Sequence, residues 1–379
     1  MPTRVFDIAI IGGGVIGLTL ARELGARGAK VAVIDAGDAV PQATPAAAGM
    51  LAPSFENCEE FGGPSEALYR LGSRSLELWK SYAAALEEET GIFIDYRNDG
   101  ALGLSYRDAQ TQDLAEQAVR VKKLGGAAEM ISGAEARALE PALSKEVAAA
   151  LYAPEDAQVD PRRVMAALTV SLNALDVEMV RTRVLSLGEG DAARQFASAD
   201  GDVFAAEKIV VAAGAVSGLT PRGLVYPVKG EATAVAAEVV LTRVVRAPGA
   251  YLCPKAEGRL VIGATEELGP LIDHHSVSDA AIAGLRANAG RAVPALETAK
   301  ELERWTGLRP GTPDGAPIMG RDKEGRFLAL GHYRNGVLHA PAAAEAMAAL
   351  ILGETPPFDL APFDPRRFGP GRFSPGQGG

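Results

Sequence analysis

Arg309 stands in "WTGLRPGTPDGAPIMG", Trp305 to Gly320, a run with few other charges and several turn-forming residues. A guanidinium is permanently charged and planar, so it can make two parallel hydrogen bonds to a carboxylate. Moving a carboxylate from water into an apolar pocket is costly unless a fixed cation receives it. The Gly- and Pro-rich surroundings predict a turn that fixes this side chain's approach; the structural alternative is an ion pair with Asp314. A second set of residues points to phosphate chemistry. Gly12, Gly14 and Gly17 are spaced G-x-G-x-x-G, and Asp35 follows at the end of "KVAVIDA". Gly12 permits a tight turn, Gly14 lets a pyrophosphate approach the backbone, and Gly17 lets a helix pack closely on a strand. Asp35 can accept hydrogen bonds from a ribose, and its charge disfavours the extra phosphate of NADP.

The elements that must position these groups are legible nearby. "RVFDIAIIGGG" predicts a buried parallel strand. "VIGLTLARELGARG" predicts a helix with Val15, Leu18, Leu20 and Leu24 on its apolar face and Gly28 at its C-terminal end. "KVAVIDA" predicts a second strand. This β-α-β unit presents a helix N-terminus, with free N–H groups and a positive dipole end, to a dinucleotide. By itself it does not separate FAD from NAD.

The chain's 379 residues exceed one small core. Its net charge of −10 argues against a nucleic-acid partner and for small molecules. The two cysteines, Cys58 and Cys253, form no Cys-x-x-Cys pair, which suits a reducing compartment. No segment reads as a signal sequence or a membrane span, so a cytoplasmic protein is expected.

"ATPAAAGMLAPSFE" resembles the flavin loop of the D-amino-acid oxidase superfamily, specifically its glycine oxidase group. "YPVKGE", "YLCPKAEGRLVIGATEE", "WTGLRPGTPDGAPIMG" and "GHYRNGVLHAP" resemble further signatures of that group, and the likeness runs from about Val5 to about Leu352. It implies an α/β fold: an FAD-binding Rossmann-type (glutathione-reductase-like) domain with an inserted α+β substrate domain built on an antiparallel sheet. It implies noncovalent FAD, since Leu308 stands near where related enzymes carry a flavin-tethering cysteine. By this resemblance the cofactor set is Gly12, Gly14, Val15, Ile16, Gly17, Asp35, Ala36, Thr44, Ala47, Ala48, Gly49, Met50, Leu51, Val184, His332, Tyr333, Arg334, Asn335, Gly336, Val337 and Leu338. Arg309, Tyr251 and Arg334 are the expected substrate-handling residues. For Tyr251 the alternative is a sheet tyrosine with its ring in the core.

The implied activity is oxidative deamination of glycine or a similar small amine, with hydride transfer to the flavin and reoxidation by molecular oxygen to hydrogen peroxide. The imine would feed the thiamine thiazole. A tetramer is expected from the likeness alone. A dehydrogenase with another electron acceptor and a non-catalytic flavin-binding protein are the alternatives. Hydride transfer needs a neutral substrate amine and no strong base, so His332 is expected to be a positioned neutral imidazole.

Three departures from the pattern bear on substrate range and cofactor contact. Glu266 replaces an apolar residue and would repel acidic substrates and attract an amine. His339, in place of a leucine, is expected at the flavin edge. Pro45 replaces a hydroxyl residue whose hydrogen bond Thr44 is expected to supply.

Along the chain, the expected pieces are FAD-binding 1–88, substrate 89–148, FAD-binding 149–222, substrate 223–304, FAD-binding 305–366 and a flexible tail 367–379. Residues 65–89 predict an amphipathic helix with Leu68, Leu71, Leu76, Trp79, Tyr82 and Leu86 inward. "FIDYRNDGALGLSY" predicts a hairpin or paired strands. "QVDPRRVMAALTVSLNAL" predicts a helix capped by Asp160 with Pro161 first. "VVAAGAVS" and Val184 are expected near the cofactor, with side chains serving the sheet core. "APAAAEAMAALIL" predicts a helix beginning beside the flavin.

Overall fold

The β-branched run Arg4–Ile11 is the middle of a sheet whose spatial order is Ile318–Arg321, Phe327–Leu330, Val203–Val211, Arg4–Ile11, Val31–Asp35, Glu178–Arg181. Neighbours from Phe327–Leu330 to Glu178–Arg181 run parallel, and Ile318–Arg321 closes one edge antiparallel. Parallel strands covered on both faces need apolar side chains throughout, and Ile8, Ala9, Ile10 and Ile11 are all buried. This computed structural model describes residues 4–37, 42–56, 63–192, 194–219, 223–237, 241–269 and 273–369. Cys58 and the tail beyond Gly369 lie outside them.

A second sheet follows the order Glu301–Gly311, Tyr226–Ala236, Arg259–Gly263, Ala250–Pro254, Val244–Ala247, Ala101–Ser105, Ala149–Ala153, Glu129–Ser132. Its pairs are antiparallel except that Val244–Ala247 runs parallel to Ala101–Ser105. Ala149–Ala153 therefore lies in the second sheet, just past the expected boundary at 149, because its ladder partner is Ala101–Ser105. Glu301–Gly311 spans the expected boundary at 304. No hairpin forms over residues 93–106: only Ala101–Ser105 is a strand, and it pairs with distant segments.

Asp160 caps helix Pro161–Ala174 by accepting from the amides of Arg162 and Arg163. Helix Ser65–Thr90 buries Leu68, Leu71, Trp79 and Leu86 as its apolar spacing predicts. The C-terminal helix starts at Gly336, earlier than predicted, and runs to Leu352 with Pro341 inside it. Proline lacks the N–H that Val337 O would accept and breaks the local ladder. The long helix repairs the defect. Trp79 Nε1 donates to Val337 O and Leu338 O, each at 3.1 Å, and Ser75 Oγ accepts from Ala342 N at 3.2 Å.

Trp79→Phe keeps a buried ring but strands two carbonyls. A loss of about 2–4 kcal/mol is expected, read as an earlier urea midpoint with unchanged slope. No helix among the described residues is long and apolar enough to cross a membrane.

Candidate active site

The first strand ends at a left-handed Gly12, φ +118°. Any Cβ there would strike the carbonyl of Ala212, and one on Gly17 would strike the carbonyl of Gly12. Gly14 differs: its backbone is extended, and the nearest atom to an added Cβ is Thr44 Oγ1 at 3.6 Å. The space before it is a cavity of about 420 Å³ that runs from Asp35 past Gly14 to Arg309, Tyr251 and His332. Asp35 accepts from Gly13 N at 2.6 Å and Gly37 N at 2.7 Å, which leaves each oxygen a second acceptor site. Thr44 Oγ1 accepts the first helical N–H, from Val15, at 3.2 Å.

Arg309 is not on a turn. It lies in strand Glu301–Gly311, opposite Val228. Alternation along this strand explains "WTGLRPG". Trp305 Nε1 donates to Ala46 O at 3.0 Å, Gly307 admits the methyl of Ala46, and Arg309 reaches over Gly230, where a Cβ would collide with the guanidinium. Arg309 Nη1 donates to Thr265 O at 3.1 Å and Lys229 O at 3.4 Å. No described carboxylate lies within ion-pair distance of it. Asp314, the structural alternative, pairs with Arg367 at 2.7 Å instead.

Tyr251 packs its ring across Gly263 of the neighbouring strand and faces the cavity. Burial pushes its hydroxyl above the usual range, while Arg309 pulls it down. Tyr333, at φ +47°, donates its N–H to Pro310 O at 3.0 Å and its hydroxyl to Glu266 Oε1 at 2.6 Å. Burial, then Glu266, drives this phenol strongly upward. Arg334 sits at the mouth, 3.3 Å from Glu56 Oε2 and 4.0 Å from Glu266 Oε2.

His332 lines the cavity, and burial lowers it to about 3, so it is a neutral imidazole at ordinary pH. Its Nε2 is buried with no protein partner among the described residues. His339 does not line the cavity. It is packed behind His332, with 3.4 Å between their Nδ1 atoms, because the helix turn from Asn335 carries it away from the cavity.

Of the expected cofactor and substrate residues, all but Gly17, Leu51 and Leu338 line the cavity. Two lining residues carry no signal of their own in the sequence, Glu56 and Arg246, whereas "VVAAGAVS" is near the cavity as expected. Ala212 to Ser217 do line the cavity, although their composition reads as sheet core. Arg246 pairs with Glu56 at 3.2 Å across 190 residues, a contact with no local signal. Cys253 is buried against Ala48 O and Gln158 Oε1, away from the cavity.

Against the turn Pro53–Phe55, Asp156 accepts from Ser54 Oγ at 2.9 Å and is otherwise enclosed. Burial raises it to about 7. The folded chain thus holds this proton where the unfolded chain has lost it, so the group's stabilising contribution is present at acid pH and lost as pH rises through about 7. Asp156→Asn keeps the acceptor for Ser54 and cannot ionise. Its melting temperature relative to the parent is expected to rise between about pH 5 and about pH 8 and level off above.

The fit to FAD rests on the open space before Gly14, the two helix starts at Val15 and Gly336 that border the cavity, and His332 Nε2, buried without a partner among the described residues. Over residues 7–350 the chain matches the family described as FAD dependent oxidoreductase. It is 36% identical to the glycine oxidase of Geobacillus kaustophilus, over 95% of this chain and 96% of that one. The crystal structure of that group from the same organism superposes with a TM-score of 0.87 at 35% identity, covering 96% and 98% of the two chains. Iminodiacetate oxidase from Chelativorans sp. BNC1 gives 0.83 at 27% identity, covering 95% and 99%. The bifunctional protein ThiO/ThiG of Trichormus variabilis is 33% identical over 91% of this chain, which spans 52% of that longer protein.

Proposed function

The chain belongs to the FAD-dependent oxidoreductase (DAO) family, and on that premise we propose that it oxidatively deaminates glycine or a similarly small amino acid. The observation that carries this reading is Arg309, a guanidinium without a carboxylate partner among the described residues, held over Gly230 in the dinucleotide cavity. Bound FAD supplies the two-electron acceptor for hydride from the substrate Cα, and molecular oxygen restores it with release of hydrogen peroxide.

The protein's own part is geometry and charge. Arg309 takes the substrate carboxylate in a bidentate grip, and the Tyr251 hydroxyl adds a third hydrogen bond and orients Cα. Arg334 at the mouth helps confine the amine. Gly12 to Ile16 would receive the pyrophosphate, Asp35 the ribose, and residues 332–337 the isoalloxazine. The N–H groups opening helix Gly336–Leu352 would stabilise negative charge on that ring. His332, neutral at any working pH, is a poor base and positions rather than abstracts. The imino acid product hydrolyses to glyoxylate and ammonia or passes to a partner enzyme. The fused relative ThiO/ThiG supports a hand-over toward thiamine thiazole synthesis.

Purified protein is expected to be yellow and to form peroxide aerobically with glycine, sarcosine or D-alanine, but not with L-amino acids. Anaerobic bleaching without aerobic peroxide would make it a dehydrogenase. No bleaching with any small amine would remove the catalytic reading.

A further inference from the structure

We infer that Glu266 restricts this site to amines bearing one carboxylate and excludes dicarboxylates, an inference that rests on the amine-oxidising reading above. The substrate end of the cavity is lined by Arg246, Arg309 and Arg334. The fourth lining arginine, Arg183, lies beside Val184 at the dinucleotide end.

Two of the three are already matched by acids. Arg246 pairs with Glu56 at 3.2 Å, and Arg334 lies 3.3 Å from Glu56 and 4.0 Å from Glu266. Among the described residues, Arg309 alone of the three contacts only backbone carbonyls. The compartment therefore offers one place for a carboxylate.

The opposite pole is fixed as firmly. Glu266 follows Thr265, whose carbonyl holds the Arg309 guanidinium, and Glu266 Oε1 takes the Tyr333 hydroxyl at 2.6 Å. Tyr333 feels the charges of both Glu266 and Arg309, so cation and anion flank one space. An ammonium or secondary amine anchored through Arg309 is drawn to Glu266. A second carboxylate on the same molecule meets Glu266 or Glu56 and finds no unmatched guanidinium among the described residues, and like charges at a desolvated contact are strongly disfavoured. Substrates such as glycine and sarcosine fit this pattern, whereas iminodiacetate and D-aspartate do not.

The test uses the FAD-loaded protein and Glu266→Gln, which keeps the side chain's size and an acceptor for Tyr333. Two unreactive acids, acetate and malonate, are titrated against the flavin absorption spectrum, and glycine and iminodiacetate are compared in turnover. The parent is expected to bind acetate at least about 10-fold more tightly than malonate. Glu266→Gln is expected to tighten malonate at least about 5-fold with acetate within about 2-fold, and to raise iminodiacetate turnover relative to glycine.

Equal binding of the two acids by the parent, an unchanged ratio in Glu266→Gln, or no spectral response to acetate overturns the inference. If glycine is oxidised but malonate binds like acetate, the specificity claim alone fails. If the acids are discriminated but no amine is oxidised, the reaction reading fails and the charge selection stands.

Discussion

Arg309→Met is expected to give a yellow, stably folded protein whose kcat/KM for glycine is lower by about 10³-fold. Truncating the partner of a desolvated charge typically costs about 3–5 kcal/mol, because the other charge is left buried and unpaired. Here the charge left behind is the substrate's carboxylate. The parent side chain's hydrogen bonds go to Thr265 O and Lys229 O, and neither carbonyl belongs to the dinucleotide loop, so FAD retention serves as the internal control. Because Arg309 also aligns Cα, both kcat and KM should suffer. A rise in KM alone would mean that it supplies uniform binding without alignment. Arg309→Lys should recover only part of the loss, since an ammonium cannot reproduce the two-pronged contact. Normal turnover in Arg309→Met would end the proposed substrate geometry.

What the sequence disclosed depends on how local the physics is. The glycine loop, the Asp160 cap and the amphipathic stripe of helix Ser65–Thr90 are each set by neighbours a few residues away, and all three are where spacing places them. The setting of Arg309 departs from its local sequence signal for a definable reason. Pro310 and Gly311 read as a turn, yet Glu301–Gly311 is an edge strand, where a missing N–H is tolerated, and Pro310 faces Pro227 on its one neighbour.

Trp79 was legible as buried but not as the donor that repairs Pro341, because that defect lies more than 250 residues away. Glu56, just after the helical turn Pro53–Phe55, meets Arg246, in strand Val244–Ala247, only in the folded chain, and neither stretch carries a periodic signal for it. Glu266 could be flagged by its type, while its partner Tyr333 depends on a left-handed backbone that sequence alone does not announce.

Gly14→Ala separates folding from cofactor binding, and its expected effect on FAD is the second largest. At Gly12 the backbone is left-handed and an added methyl meets the Ala212 carbonyl, so alanine there damages the apoprotein itself. At Gly14, φ is −75° and ψ 177°, a conformation any residue adopts, and the methyl meets nothing closer than Thr44 Oγ1 at 3.6 Å. It projects into the cavity at the N-terminus of helix Val15–Ala26, where the pyrophosphate must touch the backbone. Overfilling a close contact costs about 1–3 kcal/mol, so FAD affinity should fall by about 10- to 100-fold. The apoprotein's melting temperature should stay within about 2 °C of the parent, and the upward shift on adding FAD should shrink accordingly. Gly12→Ala should instead lower the apoprotein's melting temperature directly. Flavin fluorescence quenching by apoprotein gives the affinities, and thermal melts with and without FAD give the rest. Parental FAD affinity in Gly14→Ala would place the pyrophosphate elsewhere and with it the whole orientation of the cofactor toward Arg309.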